Sequence, residues 1–219
     1  MASPAPRGER PRRPLRPLGR VSLAEYLAFE RRHPMRHEYV DGYVYAMAGA
    51  RLRHNSIIGN MLRVLFGPAD ASGCRVYFEA AKVQVGPDVF YPDVIVTCEP
   101  EGDAEADIAY APCVLVEVLS PSTAKIDRSL KLMKYRALPS LRAYLIVSQR
   151  DRHVERHWRD AADAPWQMEE VADAGTIPLP CPVPMTLTLD QVYRGLTFGP
   201  RLRRVREGAP PARPEPAPV

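Results

Sequence analysis

Lysine is scarce in this chain: Lys82, Lys125, Lys131 and Lys134 are the whole complement, against 26 arginines. An arginine excess of that size can follow from codon usage and says little about a ligand, but it makes each lysine inside the folded part conspicuous. No run approaches the roughly 20 apolar residues needed to span a bilayer. The opening stretch MASPAPRGERPRRPLRPLGR contains no apolar segment of the kind that directs secretion. The expectation is a soluble, cytoplasmic protein with no membrane partner. Cysteine is limited to Cys74, Cys98, Cys113 and Cys181. No two of them form a Cys-x-x-Cys pair, which speaks against a zinc ribbon or a redox motif, and reduced, buried thiols are expected. No period of 20 to 50 residues recurs, which excludes solenoids and propellers.

What is present is an ordinary globular composition, 46% apolar and 26% charged, on a length that suits one domain with tails. The net charge of +4 is unevenly placed. Residues 1–20 hold six Arg against Glu9 (+5) and residues 199–219 hold five Arg against Glu207 and Glu215 (+3), which leaves about −4 for residues 21–198. Attraction to a polyanion would therefore come from the arms or from a local groove, not from the whole surface. Five prolines precede residue 20 and six follow residue 199, and proline supports neither helix nor sheet ladders. The chain thus divides into a disordered Arg/Pro-rich arm (1–20), a folded domain (21–198) and a disordered tail (199–219).

Within the domain, Ser22-x-x-Glu25 is a capping box that predicts a helix over residues 23–32. Asp41-Gly42 is a hairpin turn signal inside the segment 38–47. Ile57, Ile58, Met61, Leu62 and Leu65 predict a helix over 54–66 with one buried stripe. Strands are predicted at 75–78, 81–85 and 90–97, and the nearly unbroken apolar run 113–119 reads as a strand covered on both faces. Pro121-Ser122-Thr123 opens a predicted helix whose apolar stripe is Ile126, Leu130, Met133 and Ala137. The strand at 143–148 that follows should run parallel to 113–119, as in any strand–helix–strand unit. Residues 154–158 and 166–171 read as an added hairpin, and Thr188-x-x-Gln191 caps a short terminal helix over 188–196. The fold class is α/β (α+β) with a mixed sheet.

Two acids stand where acids are costly. Glu117 interrupts Leu115-Val116-x-Val118-Leu119, and Asp93 sits at the head of Val94-Ile95-Val96 behind Pro92. A buried carboxylate needs a cation, hydrogen bonds or a metal; for Glu117 alone, a salt bridge to arginine is an equal alternative. Two such acids on neighbouring strands would repel each other unless a divalent ion sat between them, and Mg²⁺ is commonly bound by one or two carboxylates plus phosphate. That pairing suggests phosphodiester hydrolysis, which asks for a further cation. Leu119 occupies the position two residues after Glu117, so no lysine stands beside the acids on that strand. Lys131 is the candidate, about 100° round its helix from the apolar stripe, with an ion pair to Asp127 as the plainer alternative. Lys82 is a second candidate for phosphate contact, although a solvated strand charge is its simpler role. Glu38 is a candidate third ligand, and His54 a candidate to touch phosphate or orient water.

Taken together, His37-Glu38-Tyr39-Val40-Asp41-Gly42, His54, Tyr91-Pro92-Asp93 and Glu117-Val118-Leu119-Ser120-Pro121-Ser122-Thr123, with Asp127, Lys131 and Tyr135, resemble the Uma-two family. The resemblance covers residues 22 to 195. It implies a restriction-endonuclease-like core of α-β-β-β-α-β order and a Mg²⁺- or Mn²⁺-dependent endonuclease acting on nucleic acid, DNA foremost. It assigns Asp93 and Glu117 as metal-binding acids, Glu38 as the N-terminal acid and Lys131 as a displaced catalytic lysine. A homodimer would suit double-strand cleavage. Leu119 departs from the plain D…E-x-K pattern, which keeps open a non-cutting nucleic-acid-binding or dimerisation module on the same fold. A hydrolase of another phosphoester is a third reading.

Overall fold

The structure, a computed structural model, describes residues 19–47, 49, 51–100, 107–120 and 124–199. The two arms, apart from residues 19, 20 and 199, and the helix opening at Pro121-Ser122-Thr123 lie outside the described residues.

Helix α1 (Leu23–Glu30) begins at the expected reciprocal cap, Ser22 with Glu25. Strands β1 (His37–Val40) and β2 (Tyr43–Ala46) form the expected hairpin. Its turn residues Asp41 and Gly42 both take positive φ, 50° and 88°, as this tight turn requires. Helix α2 (Leu52–Ala71) buries Ile57, Ile58, Met61, Leu62 and Leu65 and continues past the predicted end, with Pro68 inside it. Next come β3 (Arg75–Phe78), β4 (Lys82–Val85), β5 (Asp88–Phe90), β6 (Val94–Thr97), the short β7 (Ile108–Ala109) and β8 (Pro112–Val118). After β8 the chain forms α3 (Ala124–Ile126), a π-helical turn (Asp127–Lys131), α4 (Leu132–Arg136) and β9 (Ala143–Val147). The hairpins β10 (His153–Trp158) with β11 (Gln167–Ala172) and β12 (Thr176–Leu179) with β13 (Met185–Thr188) follow, and α5 (Leu189–Val192) closes the described chain behind a second reciprocal cap, Thr188 with Gln191.

The strands make two principal sheets. One has the order β2-β1-β5-β4-β7, the other β11-β10-β9-β8-β6-β3, and β12-β13 stands apart. Each large sheet contains a single parallel pair, β4 with β7 and β8 with β9, so both are mixed. The β8–β9 pairing is the parallel relation expected of a strand–helix–strand unit. The six-stranded sheet separates two cores. On one face α2 and α5 cover Val94, Val96, Val114 and Val116; on the other, Phe90, Tyr135, Leu138 and Leu141 cover Ile95, Leu115, Leu119 and Tyr144.

Three expectations need correction. The strand predicted over 90–97 is two strands in different sheets, and Tyr91-Pro92-Asp93 is the crossing between them. Pro92 explains the break, because proline cannot donate to a ladder. The predicted apolar stripe Ile126, Met133 and Ala137 faces solvent, while Asp127, Lys131 and Tyr135 are the residues turned inward. That inversion follows from Glu117, which must find its partners on the helix lying over it. The thiols expected to be reduced are paired as Cys74–Cys98 and Cys113–Cys181. Separations of 24 and 68 residues give no local signal: pairing of β3 with β6 brings Cys74 to Cys98, and the loop between β12 and β13 brings Cys181 to Cys113 in β8.

Candidate functional site

Strands β6 and β8 run antiparallel with Val94 opposite Val116 and Ile95 opposite Leu115. One further step in that register sets Asp93 across from Glu117, so both acids emerge on the same face. Residues above and below them alternate into the two cores, which is why a carboxylate can sit inside each apolar run without breaking the strand. Asp93 is held from two directions. The Val118 N–H donates to its Oδ2 at 2.6 Å, and His54 Nε2, on the first turn of α2, lies 3.1 Å from its Oδ1. Burial alone would lower the His54 pKa, but the hydrogen bond and charge of Asp93 outweigh it and raise it.

Glu117 is held from the other side. Lys131 Nζ is 2.9 Å and the Tyr135 hydroxyl 3.1 Å from its Oε1. The same ammonium lies 2.7 Å from Glu38 Oε1 and 3.5 Å from Asp127 Oδ1. Lys131 and Tyr135 reach Glu117, with Asp127 beside Lys131, because the three residues are spaced four apart and turned to one helix face. Phe90 and Tyr144 meet the Tyr135 ring edge-on at 5.4 and 5.1 Å, and the Tyr144 hydroxyl donates to the Asp127 carbonyl. These aromatics wall the cluster on its inner side. Asp93 and Glu38 keep 18% and 16% side-chain exposure, which gives the outer side access to solvent.

The electrostatics follow from crowding. Burial pushes the Glu117 carboxyl well above the usual range; Lys131 opposes the shift, and the charges of Asp127, Asp93 and Glu38 add to it. Burial would lower Lys131, but Glu117, Glu38 and Asp127 together raise it well above an ordinary lysine, so its ammonium stays charged. Four carboxylates thus share one ammonium and one imidazole. With all four carboxylates ionised and His54 protonated, the cluster would carry about two surplus negative charges, which one divalent cation would cancel; without such an ion, the upward shift at Glu117 relieves part of that surplus. The donors are all oxygens, the set a hard ion such as Mg²⁺ takes. On charge and donor type, Asp93 and Glu117 fit such an ion.

The expected residues are not all brought together. Asp93, Glu117, Lys131, Glu38 and His54 form one contiguous cluster. Glu38 joins it through Lys131: among the described residues, no three carboxylate or imidazole donors lie mutually within 4.8 Å. Lys82 is only 3% exposed and pairs with Asp107, so it is not the solvated strand charge anticipated for it. Leu119 lies in the core at the position where a lysine would have followed Glu117. Asp127 and Tyr135 belong to the site as well: Asp127 makes the i, i+4 ion pair with Lys131 that the sequence offered as the plainer alternative, and Tyr135, which sequence reasoning gives only a place in the motif, is located by the D-x-x-x-K-x-x-x-Y spacing on one helix face.

With this geometry in view, comparison with known proteins is decisive on kinship. The profile of the Uma2 family, described as "Putative restriction endonuclease", matches residues 23–191. The chain belongs to that family. It is 34% identical to the uncharacterised protein slr1290 of Synechocystis over 188 residues, 84% of this chain and 97% of the relative. It is 30% identical to sll1609 of the same organism over 155 residues, 69% and 87% of the two chains. Among solved structures it resembles a "putative nuclease belonging to DUF820" from Anabaena variabilis, with TM-score 0.62 and 17% identity over 78% of this chain and 97% of the other. At that identity the likeness establishes the nuclease-like fold of this Uma2 chain. No helix among the described residues is long and apolar enough to cross a membrane.

Proposed function

We propose that this Uma2 protein is a metal-dependent nuclease that hydrolyses phosphodiester bonds of nucleic acid, DNA foremost, with Asp93 and Glu117 holding Mg²⁺ or Mn²⁺. The observation that carries the reading is the convergence of four carboxylates, one buried ammonium and one imidazole at the shared end of β6 and β8. A cation held there would polarise a phosphoryl oxygen and lower the pKa of a bound water. The chain's own groups prepare the rest. The Val118 N–H and His54 fix the orientation of Asp93, and Tyr135 and Lys131 fix Glu117. Lys131, kept charged by its three acids, is the preorganised positive group for charge that builds on a phosphate oxygen. Glu38 serves as the outer carboxylate that aims Lys131.

The second reading is a module on the same fold that binds nucleic acid without cutting, and Leu119 in the place of the usual lysine favours it. Plasmid, linear and single-stranded DNA incubated with the purified protein and Mg²⁺ or Mn²⁺ separates the two. Nicking that disappears in both Asp93→Ala and Glu117→Ala supports the nuclease. DNA retention with no cleavage under either metal supports the module and overturns the nuclease.

A further inference from the structure

Three of the four cysteines bring their sulfurs together, and the fourth, Cys74, is bonded to one of them. Cys74 precedes β3, Cys98 follows β6, Cys113 lies in β8 and Cys181 follows β12, so four separate segments deliver them. The two bonded pairs abut, with Cys98 Sγ 4.0 Å from Cys181 Sγ. The sulfurs of Cys98, Cys113 and Cys181 all lie within 4.8 Å of one another, and Cys74 is bonded to one of them. Two crosslinks that each tie a pair of segments have no reason to share a location. A tetrahedral thiolate centre does: with metal–sulfur bonds of about 2.3 Å, its sulfurs stand roughly 3.8 Å apart. Cys74, Cys113 and Cys181 are buried and Cys98 is exposed, an arrangement that encloses an ion on three sides and leaves one side open for its arrival. The lack of a Cys-x-x-Cys pair excludes only sites built on a single loop; this one is assembled by the six-stranded sheet and the connection between β12 and β13.

We propose that in its reduced form the chain binds one Zn²⁺ through Cys74, Cys98, Cys113 and Cys181, and that the two disulfides are the metal-free, oxidised form of the same site. Each disulfide takes two electrons from a phosphine reductant, which leaves as phosphine oxide with oxygen drawn from water, and yields two thiols. The four thiols then release four protons to solvent as one Zn²⁺ binds, and become its thiolate ligands. Soft sulfur selects Zn²⁺ over Mg²⁺, so this site does not compete for the ion proposed at Asp93 and Glu117, and it stands whether or not the chain cuts nucleic acid.

The test uses the full chain, reduced with a phosphine, desalted without oxygen, and titrated with Zn²⁺ or Co²⁺. The expected result is one equivalent bound, four thiols withdrawn from titration by a disulfide reagent, and, with Co²⁺, sulfur-to-metal charge transfer alongside the ligand-field bands of a tetrahedral site. Cys98→Ser and Cys181→Ser should each weaken uptake at least tenfold and reduce the charge-transfer intensity. An Asp93→Asn, Glu117→Gln double variant should keep the sulfur spectrum in full, which distinguishes this site from the carboxylates. An oxygen-type Co²⁺ spectrum, uptake indifferent to both serine substitutions, or a reduced chain that takes up neither ion would overturn the proposal. Should the serine variants fail to fold, protection of the wild-type thiols by Zn²⁺ decides alone. Four thiols that react equally fast with and without the ion are the negative result.

Discussion

Lys131→Met keeps the length of the side chain and removes its charge. The three carboxylates around it would then face one another in a buried space, and breaking a buried pair from one side costs about 3 kcal/mol. Urea denaturation should show a destabilisation of that order, together with loss of cleavage. His157, stacked on the Tyr144 ring, offers a pH test separate from the metal-site acids. Burial, helped by the neighbouring Arg136 charge, lowers its pKa below the ordinary 6.5. A histidine whose folded pKa is depressed gives stability that is present above its unfolded pKa and lost as pH falls through the folded one. Thermal midpoints of the wild type should therefore drop as the pH falls below about 6.5, and His157→Gln should flatten that slope; equal slopes would refute the assignment. Asp93 and Glu117 are legible as single residues because an acid in an apolar strand is an anomaly that needs a partner. Lys82 is not, because nothing local announces that Asp107, 25 residues away, will bury it.

Elements are held to the site by Glu30, the last residue of α1. Its carboxylate accepts from the His37 backbone N–H at 2.9 Å and the Tyr91 hydroxyl at 2.8 Å, and its other oxygen lies 2.9 Å from His37 Nδ1. It thereby ties α1 to β1 and to the crossing that delivers Asp93. Glu30→Gln should lower stability by about 2 kcal/mol, since hydrogen bonds to a charged group are the stronger kind. It should also reduce cleavage, with equilibrium unfolding and plasmid nicking as the two measurements. Most elements are readable from caps, turn signals and apolar period. The failures share a cause. The crossing at 91–93 reads as strand because its neighbours on both sides are strands, and the stripe of the helix over β8 reads as apolar because periodicity cannot know that a buried glutamate lies beneath. The hairpin of β12 and β13 escapes sequence reading because Pro178 lies in one strand and prolines crowd its turn, where a strand pattern is hardest to see.

At the scale of the whole molecule, the folded part is acidic and the arms are basic. If the arms bind the phosphates, removing residues 1–20 should reduce the salt slope of DNA binding by about 0.9 for each phosphate no longer neutralised. A slope unchanged by truncation, read from fluorescence anisotropy across salt concentrations, would assign phosphate binding to the folded domain. That the six-stranded sheet divides two cores, and that a second sheet lies beyond the crossing, depends on long-range pairing that no local pattern encodes. The parallel relation of β8 and β9 is accessible from sequence, because handed connections leave few alternatives.

The pair β6 and β8 carries oxygens at one end and sulfurs at the other. Adjacent residues of a strand point to opposite sides of the sheet, so the stretch from Asp93 to Val96 behaves as a ruler marked in units of two, up to the register shift between Val96 and Thr97. One residue inserted between Val94 and Val96 would turn Asp93 off the face it shares with Glu117, while the bonded end stayed anchored. Spacing short of that shift can therefore drift only in even steps, and a length polymorphism of one residue there would silence the acids without unfolding the chain.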